Sequence, residues 1–243
     1  MLQPMKGQLE LAIFVERPNR FIIMARRSNG EHVRVHLPDP GRLQGILEPG
    51  RELYLRFHDN PNRKTNWSAV LAEREDQRGF VALETTNANA LAKLAIENQV
   101  IPSLETWSIV RQEYTYGDSR WDFLLENGKE QALLEVKSVT YGIDGTGYFP
   151  DAVTKRGTKH VQELQRIAKS TNYKSIVLFI AQRDDLSCIR PAEHIDPQFA
   201  KALTDAYEDV TIVGLKTRPT IEGYEILHEL PVIFSTEGSE EEK

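Results

Sequence analysis

The first third of the chain alternates apolar and polar positions in short runs. LAIFVE, RFIIMARR, HVRVHLP, RELYLRFH, WSAVLAER and GFVALET are each rich in Val, Ile, Leu or aromatics. Turn formers separate them, as in RPN, SNG, PDPG, EPG, HDNPNRK and DQRG. Short strands at this spacing, with one short helix at GRLQGIL, predict a small antiparallel barrel over residues 1–84, and an OB-like barrel accommodates that count best.

The texture changes at TTNANALAKLAIEN, where Leu91, Leu94 and Ala95 recur at helical spacing and predict a helix over 87–98. TWSIVRQEYTYG then reads as a strand and SRWDFLLENGKEQALLEVKS as a hairpin. TKHVQELQRIAKS reads as a helix buried through Val161, Leu164, Ile167 and Ala168. SIVLFIAQ is an unbroken apolar run, hence a strand covered on both faces, and PQFAKALTDAYED and VTIVGLKT add a helix and a strand. The order predicts an α/β domain with a mixed sheet over residues 85–236, followed by an acidic disordered tail over 237–243.

The hairpin carries charge where a half-buried strand should not. Asn-Gly favours a two-residue turn with positive φ, and placing Asn127 and Gly128 in it makes Glu126 face Lys129, Asp122 face Leu133 and Arg120 face Glu135. Alternation then gathers Arg120, Asp122, Glu135 and Lys137 on one face, with the two acids as diagonal neighbours roughly 7 Å apart or less. Trp121, Phe123, Leu125, Leu134 and Val136 occupy the other.

Composition bounds the chemistry. Of 243 residues, 40% are hydrophobic and 27% charged, as in ordinary globular proteins. No apolar run reaches the ~18 residues of a membrane span, and no secretory leader is evident, so a cytoplasmic protein away from membranes is expected. A single cysteine, Cys188, excludes an internal disulfide or a cysteine-based zinc cluster. Net charge is −6, but residues 1–84 hold 13 Lys+Arg against 11 Asp+Glu while the remainder holds 17 against 25. Binding to a polyanion must therefore use local basic patches.

Two carboxylates on one face of a strand pair repel unless a cation lies between them. Arg120 and Lys137 supply one solution, a structural ion cluster. A Mg2+ or Mn2+ ion held by Asp122 and Glu135 supplies another, with Lys137 beside it as an orienting or proton-transferring amine. Glu113 and Glu97, on preceding elements, are candidates to complete a metal shell or plain surface acids, with Glu113 the better placed. Glu-x-Lys alone is a weak signal, expected about once by chance at this composition. DAVTKRGTKH places Lys155, Arg156 and Lys159 at a helix start, where backbone N–H groups favour phosphate. His160 shares a helix side with Leu164 and Ile167 and reads as a packed histidine, and Asp151 reads either as a loop-ordering acid or as a metal neighbour. In the barrel Arg17, Arg20, Arg42, Arg63 and Lys64 sit at turns, next to Phe21, Phe57 and Trp67 as stacking platforms for nucleic acid.

An acid on one strand followed by Glu-x-Lys on the next resembles the PD-(D/E)XK, or restriction-endonuclease-like, superfamily, whose helix, three-strand meander, helix and strand match residues 87–180 in order. RPNRF, HLPDPGRL, EYTYGDSRWDFLL, LEVKSVT, FPDAVTKRGTKHVQEL, VLFIAQR and IDPQFAKAL resemble the sugar fermentation stimulation protein A (SfsA) family. The chain departs from that pattern at Asp39-Pro40, where family members often carry Asn-Thr. The resemblance implies an OB-like barrel, a nuclease-like α/β domain with Asp122, Glu135 and Lys137 as its catalytic set, and binding of single- or double-stranded DNA with little sequence preference. It also implies a role in regulating sugar (maltose) use. Superfamily members often pair, so a homodimer is one expected form. Two functions follow, a metal-dependent DNA nuclease or a DNA-binding regulator that keeps the fold without turnover. No helix-turn-helix pattern supports a sequence-reading repressor.

Overall fold

In the computed structural model, residues 1–234 are described. A short strand, β1 (Leu2–Pro4), precedes β2 (Leu9–Asn19), β3 (Ile22–Arg27), β4 (His32–His36), β5 (Glu52–Phe57), β6 (Trp67–Glu73) and β7 (Phe80–Ala82). The inward positions Ala12, Phe14, Ile23, Ala25, Val33, Val35, Leu53 and Leu55 are all buried in one cluster, as period-two alternation requires. Parallel pairing of β4 with β6 at Val35–Trp67 and His36–Ser68 closes β2, β3, β4, β6 and β5 into the expected OB-like barrel. Closure removes the open edges that a small sheet would otherwise expose.

The helix expected at GRLQGIL does not form. Residues 41–50 make successive turns, with Leu43 at φ 52° and Gly45 at φ 74°. Side-chain carboxylates take backbone N–H groups here, Asp39 from Gly41 at 2.8 Å and Asp151 from Leu43 at 3.4 Å, in competition with helical bonding.

The second part contains α1 (Asn87–Glu97), β8 (Ser108–Tyr116), β9 (Ser119–Asn127), β10 (Glu130–Val139), β11 (Gly142–Ile143), β12 (Thr146–Phe149), α2 (Lys155–Ser170), β13 (Tyr173–Ala181), β14 (Cys188–Pro191), α3 (Pro197–Asp205), β15 (Thr211–Pro219) and β16 (Gly223–Leu230). Seven strands form one mixed sheet in the order β1-β16-β15-β13-β10-β9-β8, with β10, β13 and β15 parallel at its centre. Helix α1 covers one face of this sheet, and α2 and α3 cover the other. That is why β13 is apolar on both sides. Leu2–Pro4, grouped with the barrel in the sequence reading, instead pairs with Gly223–Glu225 at the edge of this sheet. Strands β11, β12 and β14 form a small separate sheet with no clear signature in the sequence. The tail expected to be disordered lies outside the described residues.

Buried arginines tie the two parts together. Arg74, after β6, pairs with Asp184 beyond β13, and Arg183 reaches Glu75 at 3.1 Å and Asp185 at 2.7 Å. Both guanidinium groups are almost fully covered, with side-chain exposures of 6% and 5%. Without Arg74, Asp184 keeps Arg218 at 3.0 Å and Asp185 keeps Arg183 at 2.7 Å, so only part of the penalty for breaking a buried pair applies. Arg74→Ala is therefore expected to lower stability by roughly 1–3 kcal/mol in urea denaturation. A loss below about 1 kcal/mol would mean that the network behaves as surface ion pairs do.

Candidate functional site

The hairpin β9–β10 turns on Gly128 and Lys129, not on Asn127 and Gly128. Asn127 faces Glu130, Leu124 faces Leu133 and Phe123 faces Leu134. Gly128, at φ 61°, takes the first central position, where a type II′ turn requires positive φ. Relative to the sequence expectation each residue's partner moves by two, so faces are preserved along the paired residues but neighbours change. The last pair is Phe123 with Leu134, one step short of Asp122 and Glu135.

At that point the ladder stops. β9 continues to pair with β8 through Trp121, Arg120 and Ser119, while β10 continues to pair with β13 from Glu135 to Val139. The two strands fork, and the Asp122 carboxylate substitutes for the missing strand, accepting the Val136 N–H at 2.7 Å on Oδ2 and the Asn89 amide of α1 at 2.6 Å on Oδ1. Alternation breaks here too. Phe123 packs in the α1 cluster, whereas Trp121, expected beside it, is buried in the α2 cluster. On β8, Glu113 lies between the partners of these two residues with φ 55°, an uncommon conformation for a side chain of its kind.

Glu135 projects to the α2 side. Its Oε1 accepts from Lys137 Nζ at 2.5 Å and from His160 Nδ1 at 2.6 Å. The His160 ring packs edge-on to Trp121 with centroids 5.5 Å apart, so it is the packed histidine the helix pattern predicted, and it also orients an acid. Burial opposes ionisation of Glu135, but the His160 hydrogen bond and the Lys137 ammonium outweigh it and hold the carboxyl below its ordinary range. Burial and the charge of Glu135 push Asp122 the other way, upward. The two acids thus differ: one is neutralised within the protein, and the other is short of positive charge.

Two cavities flank the fork and share Thr85 and Asn89. One, of about 410 Å³, is bordered by Glu113 and Asp122. The other, of about 350 Å³, is bordered by Lys137, Arg20, Asp39 and Asp151. Among the described residues no three His, Cys, Asp or Glu side chains group as a metal cage. Two carboxylates fit a hard cation that completes its shell with water and substrate oxygens better than they fit zinc. Both bonds to Glu135 end on Oε1, so Oε2 retains acceptor capacity.

The remaining sequence candidates are dispersed. Glu113 pairs with Arg120 at 2.8 Å, both well exposed. Arg17 spans the carbonyls of Arg20, Gly41 and Arg42 and so braces loops. Arg63 bonds Thr65 O and Ser68 Oγ, and Arg42 and Lys64 are exposed. Lys155, Arg156 and Lys159 line the exposed first turns of α2, where Thr154 Oγ1 already caps the Gly157 N–H at 3.1 Å. Phe21 and Phe57 are each 50% exposed, outside the barrel core. Glu97 pairs with Lys93 on the surface of α1. Asn89 was not anticipated, since an amide on a polar helix face carries no signal of its own. Asp39 was passed over as a turn residue.

A family model described as "Sugar fermentation stimulation protein RE domain" matches residues 86–223, and one described as "SfsA N-terminal OB domain" matches residues 15–82. The chain belongs to the SfsA family. Sugar fermentation stimulation protein homologues from Shouchella clausii and Clostridium acetobutylicum are each 40% identical to it. The first match covers 90% of this chain and 95% of the relative, the second 80% and 83%. A solved structure of Pyrococcus furiosus SfsA in complex with Ca2+ superposes with a TM-score of 0.85 at 27% identity, covering 96% of this chain and 99% of that one.

In this SfsA protein a second acid pair spans the junction. Asp39 comes from the barrel side and Asp151 follows β12, and a Cβ on Gly41 would overlap the Asp151 carboxylate, so only glycine allows that approach. Burial, then the charge of Asp151, raises the Asp39 pKa from 3.8 to about 6. The folded chain therefore holds a proton that the unfolded chain releases between those values, and stability falls as pH rises through the window. Asp39→Asn removes this dependence. Wild type is expected to lose up to about 3 kcal/mol relative to Asp39→Asn between pH 4 and pH 7. Parallel urea curves measure it, and a constant difference across that range contradicts the assignment.

Proposed function

We propose that this protein binds DNA with little sequence preference and hydrolyses phosphodiester bonds at the Asp122–Glu135–Lys137 fork with a divalent cation. The observation that carries this reading is the fork itself. Two carboxylates close enough for one charge to act on the other, and an amine, lie where the strands part, beside open cavities bordered by Asp122 and Lys137. The Ca2+ complex of the Pyrococcus furiosus relative supports a divalent cation in this family, and Mg2+ or Mn2+ suits phosphate chemistry.

Asp122 and Glu135 would hold the cation, which, when bound, stabilises charge developing on phosphate oxygens and lowers the pKa of coordinated water. Asn89 and the Val136 N–H fix the Asp122 carboxylate, and His160 fixes that of Glu135. Lys137, now neutralising Glu135, would turn its ammonium toward the attacking water or the phosphate as substrate enters. Arg20, Lys155, Arg156 and Lys159 supply contacts to the backbone, and the half-exposed Phe21 and Phe57 offer faces for unpaired bases, whereas Trp67 is covered by Arg27 and packed on the barrel core. Because such binding would rest on Lys and Arg contacts to phosphates, it would weaken steeply with salt.

A regulator without turnover is the second reading, favoured by the Glu135–Lys137–His160 cluster, which is satisfied as a plain ion network. Plasmid and short single strands incubated with Mg2+ or Mn2+ separate the two. Nicking by wild type that falls by at least about 100-fold in both Asp122→Ala and Lys137→Ala is expected. Salt-sensitive binding with no nicking on any substrate would instead establish the regulator.

A further inference from the structure

We infer that the cavity between Lys137 and the Asp39–Asp151 pair is a subsite for a single unstacked nucleobase. This deepens the proposed function and rests on it, because it specifies which part of a nucleic acid lies next to the cleaved phosphate.

The cavity, about 350 Å³, is at the small end of ligand pockets, suited to one ring-bearing unit. Two cations border it, Arg20 and Lys137, the latter bonded to Glu135 at the fork, and either would attract a phosphate. Asp39 and Asp151 border it too and accept from N–H or O–H donors. Asp39 is 5% exposed, and its Oδ2 is held only by Thr140 at a long 3.4 Å. Ser138 also borders the cavity, and its Oγ is buried with no hydrogen-bond partner. Phe149 and Val153 add apolar surface, and Val153 is 62% exposed at the cavity's border.

A polar edge facing acceptors, flat faces against apolar groups and a phosphate beside a cation describe a nucleotide with its base turned out of the stack. Stacked bases in an intact duplex cannot enter, so the substrate is a strand end, a frayed duplex or a single strand. Amino-bearing bases donate to carboxylates, while thymine offers only a ring N–H flanked by carbonyls.

Calorimetric titration of the full chain in Mg2+ with dAMP, dCMP, dTMP, inorganic phosphate and maltose tests this. We expect dAMP and dCMP to bind about tenfold or more tightly than dTMP, and all three more tightly than phosphate. Asp151→Asn and Ala152→Leu, the second filling the cavity from a partly exposed position, should each weaken dAMP by about tenfold and leave phosphate unchanged. Thermal melts of both variants verify that they fold. Equal affinities for dAMP and phosphate, folded variants that bind dAMP as wild type does, or saturable binding of maltose alone would each overturn the subsite. Selective nucleotide binding without nicking would uphold the subsite and remove only the hydrolytic reading.

Discussion

The candidate site exists because β9 and β10 stop pairing at one residue, and that residue is an acid. A strand that leaves its neighbour exposes backbone N–H groups, which are costly to bury without a partner. Asp122 solves the problem by giving a side-chain oxygen to Val136, and so it cannot lie elsewhere. Trp121 fills the space beneath the fork on the α2 side, its indole N–H satisfied by Tyr116 O at 3.2 Å. The same local requirement that keeps the sheet intact therefore fixes a carboxylate near Glu135.

Charge distribution follows from that geometry. Glu135 is balanced by two donors on a single oxygen, and Asp122 receives only neutral ones. Neither barrel arginine nearby bonds to the pair, since Arg17 is committed to carbonyls and Arg20 lies over the Phe21 ring. A cation or a repositioned Lys137 would supply a further positive charge, and the proposed phosphodiester chemistry would need the same charge there.

Much of this was legible in the chain. Strand alternation and apolar runs were enough for the barrel, the central strands and all three helices, because each rests on a period that burial enforces. Parity did not carry through the fork: Glu135 bonds His160 on the α2 side as alternation requires, whereas Asp122 bonds Asn89 of α1. What escaped was what depends on contacts distant in sequence. The turn moved to Gly128-Lys129 because Gly128 alone takes the positive φ, and Trp121 changed face where β9 stops pairing with β10. The loop at Gly41 looked helical until a carboxylate more than a hundred positions later claimed its N–H groups.

The junction between barrel and sheet shows why these distant contacts matter chemically. Arg74 and Arg183 hold the two parts in register on one side, and the Asp151 carboxylate seats the Gly41 loop on the other. Between them, Arg20 from the barrel and Lys137 from the sheet border the same cavity. A nucleic acid strand held by the barrel would then be delivered to the fork at fixed spacing, without either part having to move. Affinity would come from the exposed cations and aromatic faces, while position would come from a junction whose own charges are buried and matched. Under the proposed function those two demands would fall on different residues, so that an acidic protein could hold a polyanion and still keep two carboxylates near the point of contact.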